Sequence, residues 1–351
     1  MELGKKEVCL LMFILFLLPV VWFHPGTAVS ADKIIMKVAH SDAMDVSISR
    51  KHAQLVAFQH IVNAEAGGRI EVQVFGAGSV GGEREITESV MAGNLQGTSV
   101  SGALGGFYPP AMVSELPYLF PNAAVAWDVL DGPMGKKLSE GIIKKTGMRN
   151  LGFAEVGIRH FTNSKKEIRT PEDMKGMKIR VQETPLYITL VKSLGANPTP
   201  VPWPETYSAL QSGVVDGQEN PVSSILFAKL YEVQKFMTMD GHVYGVDWFL
   251  VNEKFFQSLS PDLQFIVSEA AKVSCGVGRG TQQLISAQGL EKLAQAGVKI
   301  YSPTEKEKEL FKKACQKPVA DWLKTKVEPS LVDEMVKASE DVAKAHMSEL
   351  K

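Results

Sequence analysis

Apolar and polar positions follow two rhythms along this chain, and the rhythms take turns. Lys33 to His40 reads as a strand, and Ile48 to Ala66 as a helix closed by Gly67-Gly68. Arg69 to Phe75 (RIEVQVF) alternates polar and apolar residues, the period of a half-buried strand. Glu83 to Met91 is the next helix, ending near Gly93. The second half repeats the style. Leu151 to Ile158 is a strand leading to Arg159, and Thr170-Pro171-Glu172-Asp173 carries an N-cap, a first-position proline and first-turn acids. Met177 to Val181 is a strand holding Arg180, and Pro185 to Leu194 a helix stopped by Gly195. Asn197 to Val201 is held extended by its prolines, Pro204 to Ser212 is helical, and Val214-Val215 is a short buried strand before Asp216-Gly217. Trp248 to Val251 is apolar again. Ser260-Pro261-Asp262 opens a long helix reaching toward Ala296, in which Gly276, Gly278 and Gly280 each cost roughly 1 kcal/mol against alanine and invite an interruption. Lys299-Ile300 is a last strand, and amphipathic helices finish the chain. Such alternation predicts an α/β fold with largely parallel sheets.

The first 31 residues stand apart. Lys5 and Lys6 precede an apolar run from Val8 to Phe23, and a polar segment then ends in Val29-Ser30-Ala31. This is the pattern of a secretory signal cleaved after Ala31. The competing reading, a membrane anchor, asks for a longer run. Cys9 lacks a lipid-attachment context. The remaining chain, Asp32 to Lys351, suffices for two lobes, and the formal net charge of the whole is −1. No basic cluster with interleaved aromatics suggests nucleic acid. Cys275 and Cys315 are either a pair or two buried thiols, and no Cys/His cluster has zinc spacing, so no metal is expected.

Gly76-Ala77-Gly78-Ser79-Val80-Gly81 fits G-x-G-x-x-G between a strand and a helix, the context of a dinucleotide-binding turn. The acid expected about 20 residues onward for the ribose is missing, because nothing acidic lies between Glu88 and Glu115. A glycine-rich turn passing close to a ligand or another strand accounts for the same residues. There is no G-x-S-x-G elbow, H-E-x-x-H pair or P-loop lysine. Acid pairs such as Glu83 with Glu85, or Asp216 with Glu219, are the ordinary furniture of solvated loops and helices. An enzyme is not expected, and no cofactor.

The residues from Gly157 to Pro221 are richer in binding chemistry. Arg180 lies at the carboxyl end of a strand, where open α/β sheets bind ligands. Its guanidinium is a rigid fork matched to a carboxylate; an ion pair with Glu183 or Glu172 is the structural alternative. Arg159, at the end of an earlier strand, invites the same two readings. Asn220 can donate to one ligand oxygen and accept from a hydroxyl, or serve as a plain turn residue. Trp203, between Pro202 and Pro204, is either a pocket wall or core.

Segment by segment, TPEDMKG, KIRV, the PW pair and VDGQENP resemble the solute-binding proteins of tripartite ATP-independent periplasmic (TRAP) transporters, in order and at family-like spacing. FGAGSVGGEREI and LPYLF resemble that family's glycine turn and apolar segment. The resemblance implies a two-lobed periplasmic-binding fold with a long helix spanning both lobes. It implies one lobe of 32–156 plus about 245–284 and another of 157–244 plus about 285–351. It implies that Arg180 pairs with a ligand carboxylate, that Arg159, Trp203 and Asn220 line the pocket, and that His40 and Glu83 join them more loosely. Phe107, Tyr108, Tyr244 and Trp248 would make an aromatic wall. The run at GQENP implies no metal. The function implied is capture of a small organic acid, a sugar acid or related monocarboxylate, and delivery to a TRAP membrane permease by a monomeric periplasmic protein. A binding subunit of a signalling system and an exported enzyme are the alternatives.

Overall fold

The computed structural model describes residues 33–349, and the signal-sequence expectation for 1–31 lies outside them. Nine strands form one sheet: β1 (Ile34–Ala39), β2 (Ile70–Phe75), β3 (Gly97–Val100), β4 (Met148–Asn163), β5 (Lys178–Val181), β6 (Asn197–Pro200), β7 (Gly217–Asn220), β8 (Phe236–Asn252) and β9 (Lys299–Tyr301). Eleven α-helices accompany them: α1 (Arg50–Glu65), α2 (Glu83–Ala92), α3 (Ala123–Asp131), α4 (Pro133–Thr146), α5 (Pro185–Ser193), α6 (Thr206–Gln211), α7 (Val222–Phe227), α8 (Glu253–Ser258), α9 (Pro261–Gln295), α10 (Glu305–Lys324) and α11 (Pro329–Glu349).

The strand order is β2-β1-β3-β8-β4-β7-β5-β6, with β9 beside the start of β8. β1, β2 and β3 are parallel to one another, as are β5, β6 and β7. Between these sections run β4 and β8, antiparallel to each other and long enough to serve both. Residues 248–251 of β8 pair with β3, while residues 160–163 of β4 pair with β7. The sheet is therefore parallel at its flanks and antiparallel at its centre. Where the sections meet, Gly157 pairs with Gly245 beside a register shift. Gly157 has φ +109°, and a Cβ there would come within 2.2 Å of Gln282 Nε2; only glycine meets both demands.

The long helix is unbroken. α9 spans about 52 Å at 1.5 Å per residue and packs against α1, β4 and α7. Two of its glycines explain themselves: a Cβ on Gly278 would touch Gln54 and Ala154 at 3.4 Å, and one on Gly289 would meet Val222 at 2.3 Å. Close helix approach outweighs their propensity cost. On the opposite face, α10 packs on α5 and α11 on α3. Another reading of local structure fails. Val214-Val215 is not a strand, and Val214 is exposed; pairing begins at Gly217 instead. Thr170 caps a short 3-10 turn, Pro171–Met174, through a capping box with Asp173.

Candidate functional site

A narrow polar cavity of about 30 Å³, open to solvent at its mouth, lies where the two parallel sections face each other. Its walls come from chain leaving the carboxyl ends of strands. Asp42, Arg50 and Lys51 follow β1, Glu83 follows β2, and Ser101 and Ala103 follow β3. From the second section come Arg180, Gln182 and Glu183 at the end of β5, Trp203 after β6, and Asn220 and Ser224 at and beyond the end of β7. Val156 and Arg159 of β4 close the floor. Parallel strands expose loops and helix N-termini at that end, which is why ligands collect there.

Arg180 is the distinctive member. It is buried, and its Nε and Nη2 donate to the carbonyl of Val201 at 2.9 and 2.7 Å. Nη1 has no partner. Among the described residues no carboxylate lies within ion-pair distance; Glu172 pairs with Lys175 instead, and Glu183 does not reach Arg180. The guanidinium sits over the Trp203 ring at 5.6 Å. Burial pushes its pKa down to about 10, against the pull of Glu219. A buried cation without a counter-ion is costly, and an anion placed at Nη1 would relieve it.

Arg159 is different. Its Nε and Nη2 grip the Glu219 carboxylate at 2.5 and 2.9 Å, and Nη2 also reaches the Asn220 Oδ1 at 3.1 Å. Burial opposes the charge of Arg159, but Glu219 more than restores it. Behind them His242 contacts Glu219 at 3.3 Å and Asp240 at 2.9 Å. Burial disfavours the imidazolium, yet Asp240 and Glu219 raise His242 to about 9. The ion-pair reading of Arg159 holds, with Glu219 as its partner, and the same residue lines the cavity.

Across the cavity, Glu83 binds Lys51, the Ser101 hydroxyl at 2.8 Å and the Ser101 amide at 3.2 Å. Lys51 also lies 3.2 Å from Asp247. Arg50 pairs with Asp247 at 2.9 Å and with Asp42 at 3.4 Å. Burial would raise Asp247, but these two cations hold it below the ordinary carboxylate range. Sequence reasoning missed Arg50, Lys51, Asp42 and Gln182. One signal was available: two cations in the first turn of a helix oppose its dipole, so their presence after the Ser49 cap asks for buried acids nearby.

The structure brings Arg180, Arg159, Asn220, Trp203 and Glu83 together. It does not bring His40, Tyr244 or Trp248 to the cavity wall. His40 is fully buried behind it, bonded to His52 at 3.1 Å and to the Asp42 amide, with burial pushing its pKa down to about 3. Tyr244 accepts from Trp127 at 2.9 Å and packs edge-on to Phe120. Trp248 packs between Tyr108 and Phe153. Tyr244 and Trp248 are core, because β8 is a central strand covered on both faces, and Tyr108 packs in the same core, whereas Phe107 is half-buried beside Arg84; none of the four lines the cavity. The glycine turn passes close to protein: a Cβ on Gly78 would lie 3.3 Å from Pro204, and one on the following Gly82 3.7 Å from Pro202. Cys275 and Cys315 are separate buried thiols.

A two-section α/β frame holding a polar cavity around one unmatched arginine defines a receptor for a small anion. A family model described as bacterial extracellular solute-binding protein, family 7 (DctP), matches residues 44–325, and the chain belongs to that family. A solute-binding protein of Verminephrobacter eiseniae is 36% identical over 280 residues, covering 80% of this chain and 82% of the relative. The crystal structure of the sugar acid binding protein DctPAm from Advenella mimigardefordensis, in complex with galactonate, superposes with a TM-score of 0.84 at 33% identity, covering 88% of this chain and 99% of that one. A TRAP periplasmic solute-binding protein from Polaromonas sp. JS666 bound to D-erythronate gives 0.81 at 31% identity, covering 88% and 98%. This chain thus has the two-lobed periplasmic-binding fold and is a TRAP substrate-binding protein rather than an enzyme. The family binds small organic acids in the periplasm and works with a membrane permease.

Proposed function

We propose that this protein captures a sugar acid or related monocarboxylate and hands it to its TRAP permease, with Arg180 holding the ligand carboxylate. The observation carrying the reading is the buried Arg180 Nη1, which has neither a hydrogen-bond partner nor a counter-ion. Charge-assisted bonds to that group are each worth roughly 1.5–3 kcal/mol, a large share of the roughly 8 kcal/mol behind micromolar affinity. Arg159, Asn220, Trp203 and Glu83 complete the site. Galactonate and D-erythronate in the two solved relatives support the ligand class.

In this reading the signal sequence is cleaved after Ala31, and the protein acts as a monomer. The lobes are 32–156 plus about 245–284, and 157–244 plus about 285–351. The Gly157–Gly245 pair at the register shift supports that division. Ligand contacts to both lobes then favour a closed arrangement. A thermal-shift screen of the purified protein against uronic, aldonic, keto, aromatic and dicarboxylic acids tests the reading. A ligand that binds only the folded state stabilises it by about 2.7 kcal/mol at a hundredfold excess over its Kd. A shift with sugar acids that disappears in Arg180→Ala is the expected result, and an equal shift in that variant would remove Arg180 from the site.

A further inference from the structure

We propose that Glu83, tied to Lys51, is a charge filter that admits ligands with one carboxylate and turns away diacids. The proposal rests on the receptor reading above and adds to it the residue that sets the charge of the ligand's far end.

Four cations border the cavity, and three are already matched. Arg159 is paired with Glu219, Arg50 with Asp247 and Asp42, and Lys51 with Asp247 and Glu83. Lys51 is 1% exposed at its side chain, so a ligand cannot reach past its partners to claim it. Among the described residues only Arg180 offers the cavity an unmatched positive group, which fixes the number of ligand carboxylates at one.

Glu83 sets what the other end of the ligand must be. Its side chain is 12% exposed at the cavity, so a ligand atom can touch it. The Lys51 ammonium and the Ser101 hydroxyl and amide occupy three of the roughly four acceptor sites of a carboxylate. The remaining site takes a donor. A ligand hydroxyl supplies one, and a second ligand carboxylate does not. Beside Glu83, the amide Nε2 of Gln182 is buried without a partner. Gln182 lies two residues beyond Arg180, just past the end of β5, and both side chains line the cavity. That amide can donate to the oxygen of the same hydroxyl. Asp42 and Glu183 in the lining add charge of the same sign as Glu83. A diacid anchored at Arg180 would therefore bring its second carboxylate against Glu83 and Asp42, whose cationic partners are already engaged, and against Glu183, which has no ion-pair partner among the described residues, a repulsive element of the kind that creates specificity.

Matched ligand pairs test this directly, because each differs only by CH2OH against a carboxylate at the far end. Galactonate with galactarate, and D-erythronate with meso-tartrate, are titrated calorimetrically into the full wild-type protein and into Glu83→Gln at pH 7. In the wild type, the monoacid of the pair that binds should exceed its diacid by about a hundredfold or more in affinity. In Glu83→Gln, which keeps the side-chain shape and one acceptor oxygen, removes the negative charge and frees Lys51 from one of its two acids, the gap should close to about tenfold or less. A diacid that binds wild type as tightly as its monoacid overturns the filter while leaving the receptor reading intact. So does an unchanged ratio in the variant. Binding of no member of either pair overturns the sugar-acid reading and the filter with it. If the variant does not fold, the wild-type ratio decides alone.

Discussion

Arg180→Met removes a buried guanidinium and keeps an unbranched chain of similar reach over Trp203. Two effects on the unliganded protein oppose each other. The pKa of Arg180 falls from its ordinary value above 12 to about 10 on burial, which corresponds to a penalty of about 3 kcal/mol for carrying the charge. The unfolded chain holds that proton more tightly than the folded one, so the penalty is in full force at pH 7 and eases only as pH rises through about 10. Against this, the Val201 carbonyl loses both its guanidinium donors, and a stranded buried carbonyl costs about 1–3 kcal/mol. The net is an apo protein unchanged or more stable by up to about 2 kcal/mol. Urea unfolding at pH 7, followed by tryptophan fluorescence, measures it. The same variant should lose at least about a hundredfold in affinity for a sugar acid, the equivalent of two charge-assisted bonds. Stability falling by 3 kcal/mol or more would refute the reasoning, because it would make Arg180 a structural cation.

Three further outcomes follow from the same structure. Glu219→Gln leaves Arg159 buried without its acid and should cost about 3–5 kcal/mol in urea unfolding, the behaviour of a broken buried pair; a loss under 1 kcal/mol would contradict that role. His242, raised to about 9 by Asp240 and Glu219 despite its burial, contributes stability that is whole below its ordinary value near 6.5 and is lost as pH rises through about 9. The stability difference between wild type and His242→Gln should shrink across that window, and a constant difference would show that the imidazole is neutral in the fold. Cys275 and Cys315 are free and buried, with burial pushing the Cys275 thiol up to about 12. A thiol reagent should therefore label neither in the native protein and both after denaturation, whereas an absence of label in denaturant would indicate a disulfide.

Much of the frame was legible in the chain because short-range patterns carry it. β2 follows RIEVQVF, and α1 and α2 begin and end within two residues of the periodic segments. Arg180, Trp203 and Asn220 stand out at strand ends and beside prolines, the family resemblance assigns them to the pocket, and all three line the cavity. The rest is long-range. Arg50 meets Asp247 across 197 residues of sequence, and Ser101 meets Gln182 across 81, so nothing nearby in the sequence announces either contact. The role of β8 was hidden for a related reason. Its apolar run is covered on both faces, and an aromatic in such a strand reads the same whether it fills the core, as Tyr244 and Trp248 do, or walls a cleft. Gly276, Gly278 and Gly280 do not interrupt α9; propensity sees the helix alone, while Gly278 answers to the close approach of α1.

In the proposed function a carboxylate on Arg180, not the polyol tail, drives capture. Calorimetric titration of the purified protein with galactonate and with galactitol, which replaces the carboxylate by CH2OH, tests it most directly. The account predicts binding of the acid and none of the polyol at the same concentrations. Equal affinity for the two would contradict it.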